Sequence, residues 1–221
     1  LLLNDSSYRR DFIDSGMFHV EPKGYLAVSA YEKTLRQRNY LLKAKNHRDL
    51  DFWDNELVMN NRYLHDMRLL YFTKLNAEFS KIISDLKAEL PEIYEEISTL
   101  KMSYTKGWET NDFHTELNSN RGKDYSAGYT SKGSHRSDIL ITSNGRPVKE
   151  SGSMSTLVMA CLLVFLAKSN VFHVKHGYKP VLLIDDLFFG IDNKNLNTVI
   201  KLLIYTNGNI VVSAPNIYKD I

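Results

Sequence analysis

Apolar side chains follow two regimes along this chain. Up to Leu90 they recur at helical spacing, and beyond Pro91 they fall into short runs broken by turn residues. Leu26 to His47 places Tyr31, Leu35 and Leu42 on one side of a predicted helix. Trp53, Leu57, Leu64, Tyr71, Leu75, Ile82 and Leu86 follow at spacings of 4, 7, 7, 4, 7 and 4. That is one stripe down a long helix, or down two helices end to end, stopped by Pro91. A continuous helix from Trp53 to Leu90 would be roughly 55 Å long, which suggests an arm or a helical lobe.

After Pro91 the pattern predicts a short helix around Ile93, Tyr94 and Ile97, a strand from Leu100 to Lys106, and a short helix from Asp112 to Asn120. Gly122 to Gly133 reads as loop. Asp138 to Thr142 and Arg146 to Val148 read as strands flanking an Asn144-Gly145 turn. Leu157 to Lys168 is predicted as an apolar helix buried on most sides, with Cys161 in the core. Val181 to Ile184, Asn195 to Tyr205 and Ile210 to Ser213 read as strand, helix and strand, a βαβ unit with a parallel sheet. No internal repeat or low-complexity segment is visible.

Composition narrows the picture only a little. The 221 residues are 43% hydrophobic and 24% charged with a net charge of +2, as in ordinary globular proteins. A basic nucleic-acid surface therefore has to be argued locally. One cysteine excludes an internal disulfide framework and suits a reducing cytosol. The Leu157 to Ala167 run, interrupted by Lys168, is read as too short to span a bilayer, and no secretory signal is seen. The chain opens on Leu1-Leu2-Leu3 without a Met, so a preceding segment is expected to be missing.

The candidate chemistry lies in Pro180 to Asp192, PVLLIDDLFFGID. Four apolar residues suit a strand buried on both faces, and they run into Asp185 and Asp186. Adjacent acids at a strand end are costly without a partner. In nucleotide-hydrolysing α/β proteins that partner is magnesium and its water, the pattern of a Walker B strand. The bland alternative, acids that cap a helix or face solvent, has about even odds on this motif alone. No G-x-x-x-x-G-K-[ST] loop occurs. Other features fall in the order found in ABC-type ATPases. Ser151, Gly152 and Ser153 precede a helix, where those proteins present a signature to a second protomer's nucleotide. Asp192 stands where they carry the D-loop, and Ser213 ends a strand where they place a polar switch residue.

Two further stretches point to a family. Tyr8 to Lys43, YRRDFIDSGMFHVEPKGYLAVSAYEKTLRQRNYLLK, resembles the RecF segment with RR-x-F-[LI]-D and later L-x-Q-R-N. Gly128 to Asp138, GYTSKGSHRSD, resembles its G-Y-T-x-x-G-P-H-R-x-D. With the acid pair, the resemblance runs from about Leu2 to Ala214 and lacks the family's N-terminal Walker A segment. It implies an α/β fold: the C-terminal part of an ABC-type ATPase head with a parallel sheet, spanning 99–221, and a mainly helical second lobe, spanning 1–98. It implies ATP and Mg²⁺ as cofactors, with Asp185 holding the metal and Asp186 orienting the attacking water. It also implies a cytoplasmic, ATP-dependent homodimer on DNA, especially at single-strand/double-strand junctions, that works with RecR and RecO to load RecA.

The sequence departs from that family in places. Where the family reads S-x-G-Q, this chain has Glu150-Ser151-Gly152-Ser153, and Ser134 replaces the Pro of G-P-H-R. Gly133, His135 and Arg136 match the family, and their bland reading is structural, bonding loop carbonyls or an acid such as Asp138. Arg9 and Arg10 are expected to pair with Asp11 or Asp14. For DNA, Lys33, Arg36, Lys43 and His47 fall within roughly an 80° arc of the predicted helix. Such an arc would give salt-sensitive, sequence-independent affinity, although a solvated helix face is the commoner meaning. The rivals are a non-catalytic DNA- or mediator-binding module and another SMC-like ATPase head.

Overall fold

The computed structural model describes residues 2–3, 5–185, 193–205 and 209–213; Asp186 and Asp192 lie outside them. In chain order the elements are α1 (Ser6–Val20), α2 (Lys23–Lys43), α3 (Leu50–Glu89), α4 (Pro91–Ile97), β1 (Leu100–Thr105), α5 (Phe113–Ala127), β2 (Asp138–Ser143), β3 (Arg146–Pro147), α6 (Val148–Ser151), α7 (Met154–His176), β4 (Leu182–Ile184), α8 (Asn193–Tyr205) and β5 (Ile210–Val212). The strands form one sheet of order β1-β2-β3 and a second of β4 and β5.

By contacts the chain divides into two units. One contains 1–3, 74–102 and 141–221, and the other contains 4–73 and 103–140. The expected boundary between residues 98 and 99 falls inside the first unit.

The long apolar stripe forms a single helix: α3 runs for 40 residues, with Leu57, Leu64, Tyr71, Leu75, Ile82 and Leu86 buried along it. Pro91 both bars α3 and opens α4, where its missing N–H costs nothing. Elsewhere local backbone chemistry corrects the expected boundaries. α2 stops at Lys43 rather than His47, because Lys45 takes a positive φ of 52°. The expected loop beginning at Gly122 is helix as far as Ala127. A side chain at Gly122 would meet open space, while the true stop is Gly128, left-handed at φ 77°. Asn144 and Gly145 both have positive φ, 50° and 77°, the backbone of a tight hairpin turn. The second hairpin arm is only Arg146–Pro147, and Val148 already starts α6.

In the first unit α7 is the core helix, with Leu157, Met159, Leu163, Val164 and Ala167 buried. It runs for 23 residues, between the Ser153 cap and a left-handed Gly177. By length and composition it could cross a bilayer, which corrects the expectation that the run is too short; half of its most apolar window is buried in the protein. Cys161 is half-buried rather than fully enclosed, and burial pushes its thiol pKa up.

The second unit is organised around two buried arginines. The Arg38 side chain is fully buried. Its Nε donates to Asp54 Oδ1 at 2.6 Å, and its Nη1 donates to Asp124 Oδ2 and Thr130 Oγ1, both at 2.8 Å. Arg68 forms a two-pronged pair with Asp14 at 2.7 Å on both arms and donates to the Ser134 carbonyl at 2.7 Å. Asn39 Oδ1 accepts the N–H and hydroxyl of Thr130, Asp124 Oδ1 those of Ser131, and Asn61 Oδ1 the N–H of Ser134. The expected pairing of Arg9 and Arg10 with Asp11 or Asp14 is corrected. Arg9 grips Asp138 at 2.6 and 2.8 Å, Arg10 donates to the Ser137 carbonyl at 3.0 Å, and Asp14 belongs to Arg68. The segment 128–138 is thus fastened residue by residue from α1, α2, α3 and α5.

His135 completes this fastening. Its Nε2 lies 3.0 Å from the Thr130 carbonyl, which can only accept, so the proton is on Nε2. Its Nδ1 therefore accepts from the Tyr31 hydroxyl at 2.7 Å. Burial pushes the imidazole pKa down to about 4.

Two predictions follow from this network. Arg38→Met leaves two carboxylates buried without their cation, and we expect a loss of roughly 3–5 kcal/mol in denaturant unfolding; a loss under 1 kcal/mol would contradict the arrangement. Because His135 takes its proton near pH 4 when folded and near 6.5 when unfolded, it contributes stability above pH 6.5 that is lost as the pH falls toward 4. His135→Gln should therefore show a shallower fall in unfolding free energy over that window than the parent protein, and an unchanged slope would refute the assignment.

Candidate functional site

β4 and β5 lie parallel, with Leu182 opposite Ile210, Leu183 opposite Val211 and Ile184 opposite Val212. The register carries Asp185 and Ser213 to the same end of the pair. The Ser213 N–H donates to the Ile184 carbonyl at 2.9 Å, and the Ser213 hydroxyl donates to Asp185 Oδ1. The expected Walker B acid and switch serine, 28 residues apart, are thus in direct contact. Both residues are exposed. Their donor set, one carboxylate and one hydroxyl, consists of the hard oxygens that suit Mg²⁺, which keeps several waters and takes its remaining ligands from phosphates. Among the described residues no group of three or more His, Cys, Asp and Glu could hold a metal by itself.

The strand differs from the expectation in its burial. Leu182 and Ile184 are half-buried, but Leu183 is 74% exposed and Val211 58% exposed. Only one face of the pair is covered by described residues. A run of four apolar residues has no period, so it cannot distinguish one covered face from two.

The Ser151–Ser153 segment forms the junction between α6 and α7. Ser153 caps α7, its Oγ accepting the Thr156 N–H at 3.1 Å, and it also bonds Ser155 and Thr156 hydroxyls at 2.8 and 2.9 Å. Ser151 donates to the Pro147 carbonyl at 3.1 Å. Gly152 is needed for space: a Cβ there would lie 2.7 Å from the Val148 carbonyl oxygen. Glu150 is exposed on α6. Asp186 and Asp192 cannot be placed, lying outside the described residues.

The basic arc is only partly preserved. Lys33, Arg36 and Lys43 are exposed on α2, with Arg36 3.7 Å from Glu32. His47 is corrected: it lies beyond α2 and stacks on Tyr125 with ring centroids 4.0 Å apart. It is held by packing, not aligned with the helical cations.

The sequence reading passed over a groove of about 690 Å³ in the same unit. Its walls are His65 and Leu69 of α3, Tyr104 to Glu109 at and after the end of β1, and Ser131, Lys132 and Arg136 of the fastened segment. The legible signal was the mixture of aromatic and basic residues in Tyr104-Thr105-Lys106-Gly107-Trp108. Gly107 has φ +90°, and a Cβ on it would lie 2.3 Å from the Gly133 carbonyl oxygen, so the two loops touch through glycine.

No family model matches the chain. Curated relatives do. The chain is 32% identical over 216 residues to a DNA replication and repair protein RecF of Proteus mirabilis (strain HI4320), covering 97% of this chain and 58% of that protein. RecF of Shewanella frigidimarina (strain NCIMB 400) is 31% identical over the same shares. Among solved structures, the recombination mediator protein RecF with ATP, in the RecFOR pathway, superposes with a TM-score of 0.77 at 22% identity, covering 100% of this chain and 60% of that one. Its ATPrS form gives 0.74 at 23% identity, covering 97% and 59%. The chain therefore spans about three-fifths of the length of the proteins it matches. In sequence along nearly its whole length and in fold, it is a relative of the RecF replication and repair proteins, corresponding to their C-terminal part.

Proposed function

We propose that this chain is the C-terminal part of an ATP-dependent DNA-binding protein that acts in recombinational repair of gapped DNA. The observation that supports this best is the contact between Asp185 and Ser213 at the ends of two parallel strands. The similarity to RecF, one solved form of which is described with ATP, supports it independently.

In this reading Asp185 is the protein's carboxylate for Mg²⁺, with Ser213 holding it in place and near the γ-phosphate. Bound Mg²⁺ supplies charge neutralisation on the phosphates. Asp186 orients the attacking water. Ser151 to Ser153 approach the nucleotide of a second protomer, and Asp192 belongs to the D-loop that crosses to it. ATP binding holds the dimer on DNA and hydrolysis releases it. The partners in this reading are RecR and RecO, with RecA loaded at the gap, in the cytoplasm. Lys33, Arg36 and Lys43 meet backbone phosphates.

A second reading, a non-catalytic DNA- or mediator-binding module, is favoured by one specific observation. Glu150 stands where the family has serine, and the hydroxyls of Ser151 and Ser153 are already engaged within the chain. The discriminator is ATP hydrolysis by the full-length protein with DNA present; its absence selects the module.

Asp186→Asn in the full-length protein should slow turnover at least tenfold while leaving ATP-dependent dimerisation intact. If ATP binding is lost as well, the division of roles between the two acids is wrong. For the α2 face, Lys33→Ala/Arg36→Ala/Lys43→Ala should weaken duplex binding and lower the salt slope of log K by about 2.7 units if each cation meets one phosphate. A slope equal to that of the parent protein would remove these residues from the DNA surface.

A further inference from the structure

We propose that the groove between the end of β1 and the 128–138 segment binds single-stranded nucleic acid, lodging an unstacked base against its aromatic wall and a flanking phosphate on Lys132 and Arg136.

The wall is a continuous set of rings. His65 meets Trp108 edge to face at 4.8 Å and stacks on Tyr104 at 5.9 Å between centroids. Trp108 Nε1 and His65 Nδ1 are both buried, and neither has a hydrogen-bond partner among the described residues. Buried polar atoms are nearly always paired. Two unpaired ones on adjoining rings of the same groove point to a ligand with hydrogen-bonding edges, and a base has such edges as well as a face to pack on rings. Burial lowers the His65 pKa and so keeps its ring neutral, with both a donor and an acceptor.

The charge is placed to match. Lys106 donates to the Thr110 carbonyl at 2.5 Å and lies 5.2 Å from the Trp108 centroid. Lys132 pairs with Glu109 at 2.8 Å, but Glu109 is 83% exposed, and such surface pairs are weak enough to yield to a phosphate. Arg136 is exposed beside them. Three cations and one acid therefore line the groove. The rim itself is rigid. Glu116 accepts the N–H groups of Glu109 and Thr110 at 3.1 and 2.9 Å, and Gly133 donates to the Gly107 carbonyl at 3.1 Å. A groove open along its length admits a strand that continues past it, so the source of the base is a polymer rather than a free mononucleotide. This surface is separate from the α2 cations of the preceding section, and its assignment does not depend on theirs.

The test is fluorescence anisotropy of labelled (dT)12 with the full-length protein across a salt series. Lys132→Ala/Arg136→Ala should weaken binding at least fivefold and reduce the salt slope by about 1.4, two contacts at about 0.7 each for a single strand. Trp108→Phe, checked for folding by circular dichroism, should weaken binding with the slope unchanged, a signature that a merely structural role would not give. Lys33→Ala/Arg36→Ala should leave (dT)12 affinity within twofold, which separates this groove from the duplex surface. Absence of (dT)12 binding at 50 mM salt, full affinity in the Lys132/Arg136 variant, or competition by dTMP as strong as by unlabelled (dT)12 would each overturn the proposal.

Discussion

The second unit depends on a charge with no access to water. A guanidinium cannot shed its proton, so a buried arginine has to be met by acceptors in the plane of its fork. Arg38 collects them from three distant parts of the chain: Asp54 on α3, Asp124 on α5, and Thr130 in the loop that follows. Two acids around one cation leave an excess negative charge. Arg121 meets it, 3.4 Å from Asp54 and 2.5 Å from Asp51. Such clusters add little stability compared with an apolar core, yet they tolerate little displacement. The 128–138 segment inherits that precision, and the groove beside it is a consequence.

This gives the RecF-like motifs a physical meaning. Arg9, Arg10 and Asp14 of the first stretch, Arg38 and Asn39 of the second, and Thr130, Ser134, His135 and Asp138 of the third all belong to one hydrogen-bonded assembly. From the sequence these residues looked like candidates for chemistry or for local ion pairs. Their partners lie dozens of residues away, and no spacing rule reports a contact such as Arg9 with Asp138.

Much of the fold was legible where periodicity was long. The stripe of α3, the Asn144-Gly145 turn and the parallel pairing of β4 with β5 all follow from residue pattern and turn chemistry. Boundaries failed where a single backbone angle decided them, as at Lys45 and Gly128. Burial failed where the sheet's second face mattered, as at Leu183. Of the candidate site, the Asp185–Ser213 contact was readable because strand, helix and strand fix the register between the two ends. The groove was not readable, because its walls come from three separate stretches of chain and no one stretch holds its chemistry.

The discontinuity of the two units also sets an order of events during synthesis. Every residue of the 4–73 and 103–140 unit has been made before residue 141 is added. That unit can close its arginine clusters while the nascent chain is still growing. The other unit cannot: its 74–102 portion waits, with Leu75, Phe79, Ile82 and Leu86 unsheltered, until α7 arrives to cover its share of the core. Domains tend to fold as they emerge, and exposed apolar surface invites association in the interval. The vulnerable stage in the life of this protein is therefore the time taken to translate 141–176, when one half of a core exists without the other.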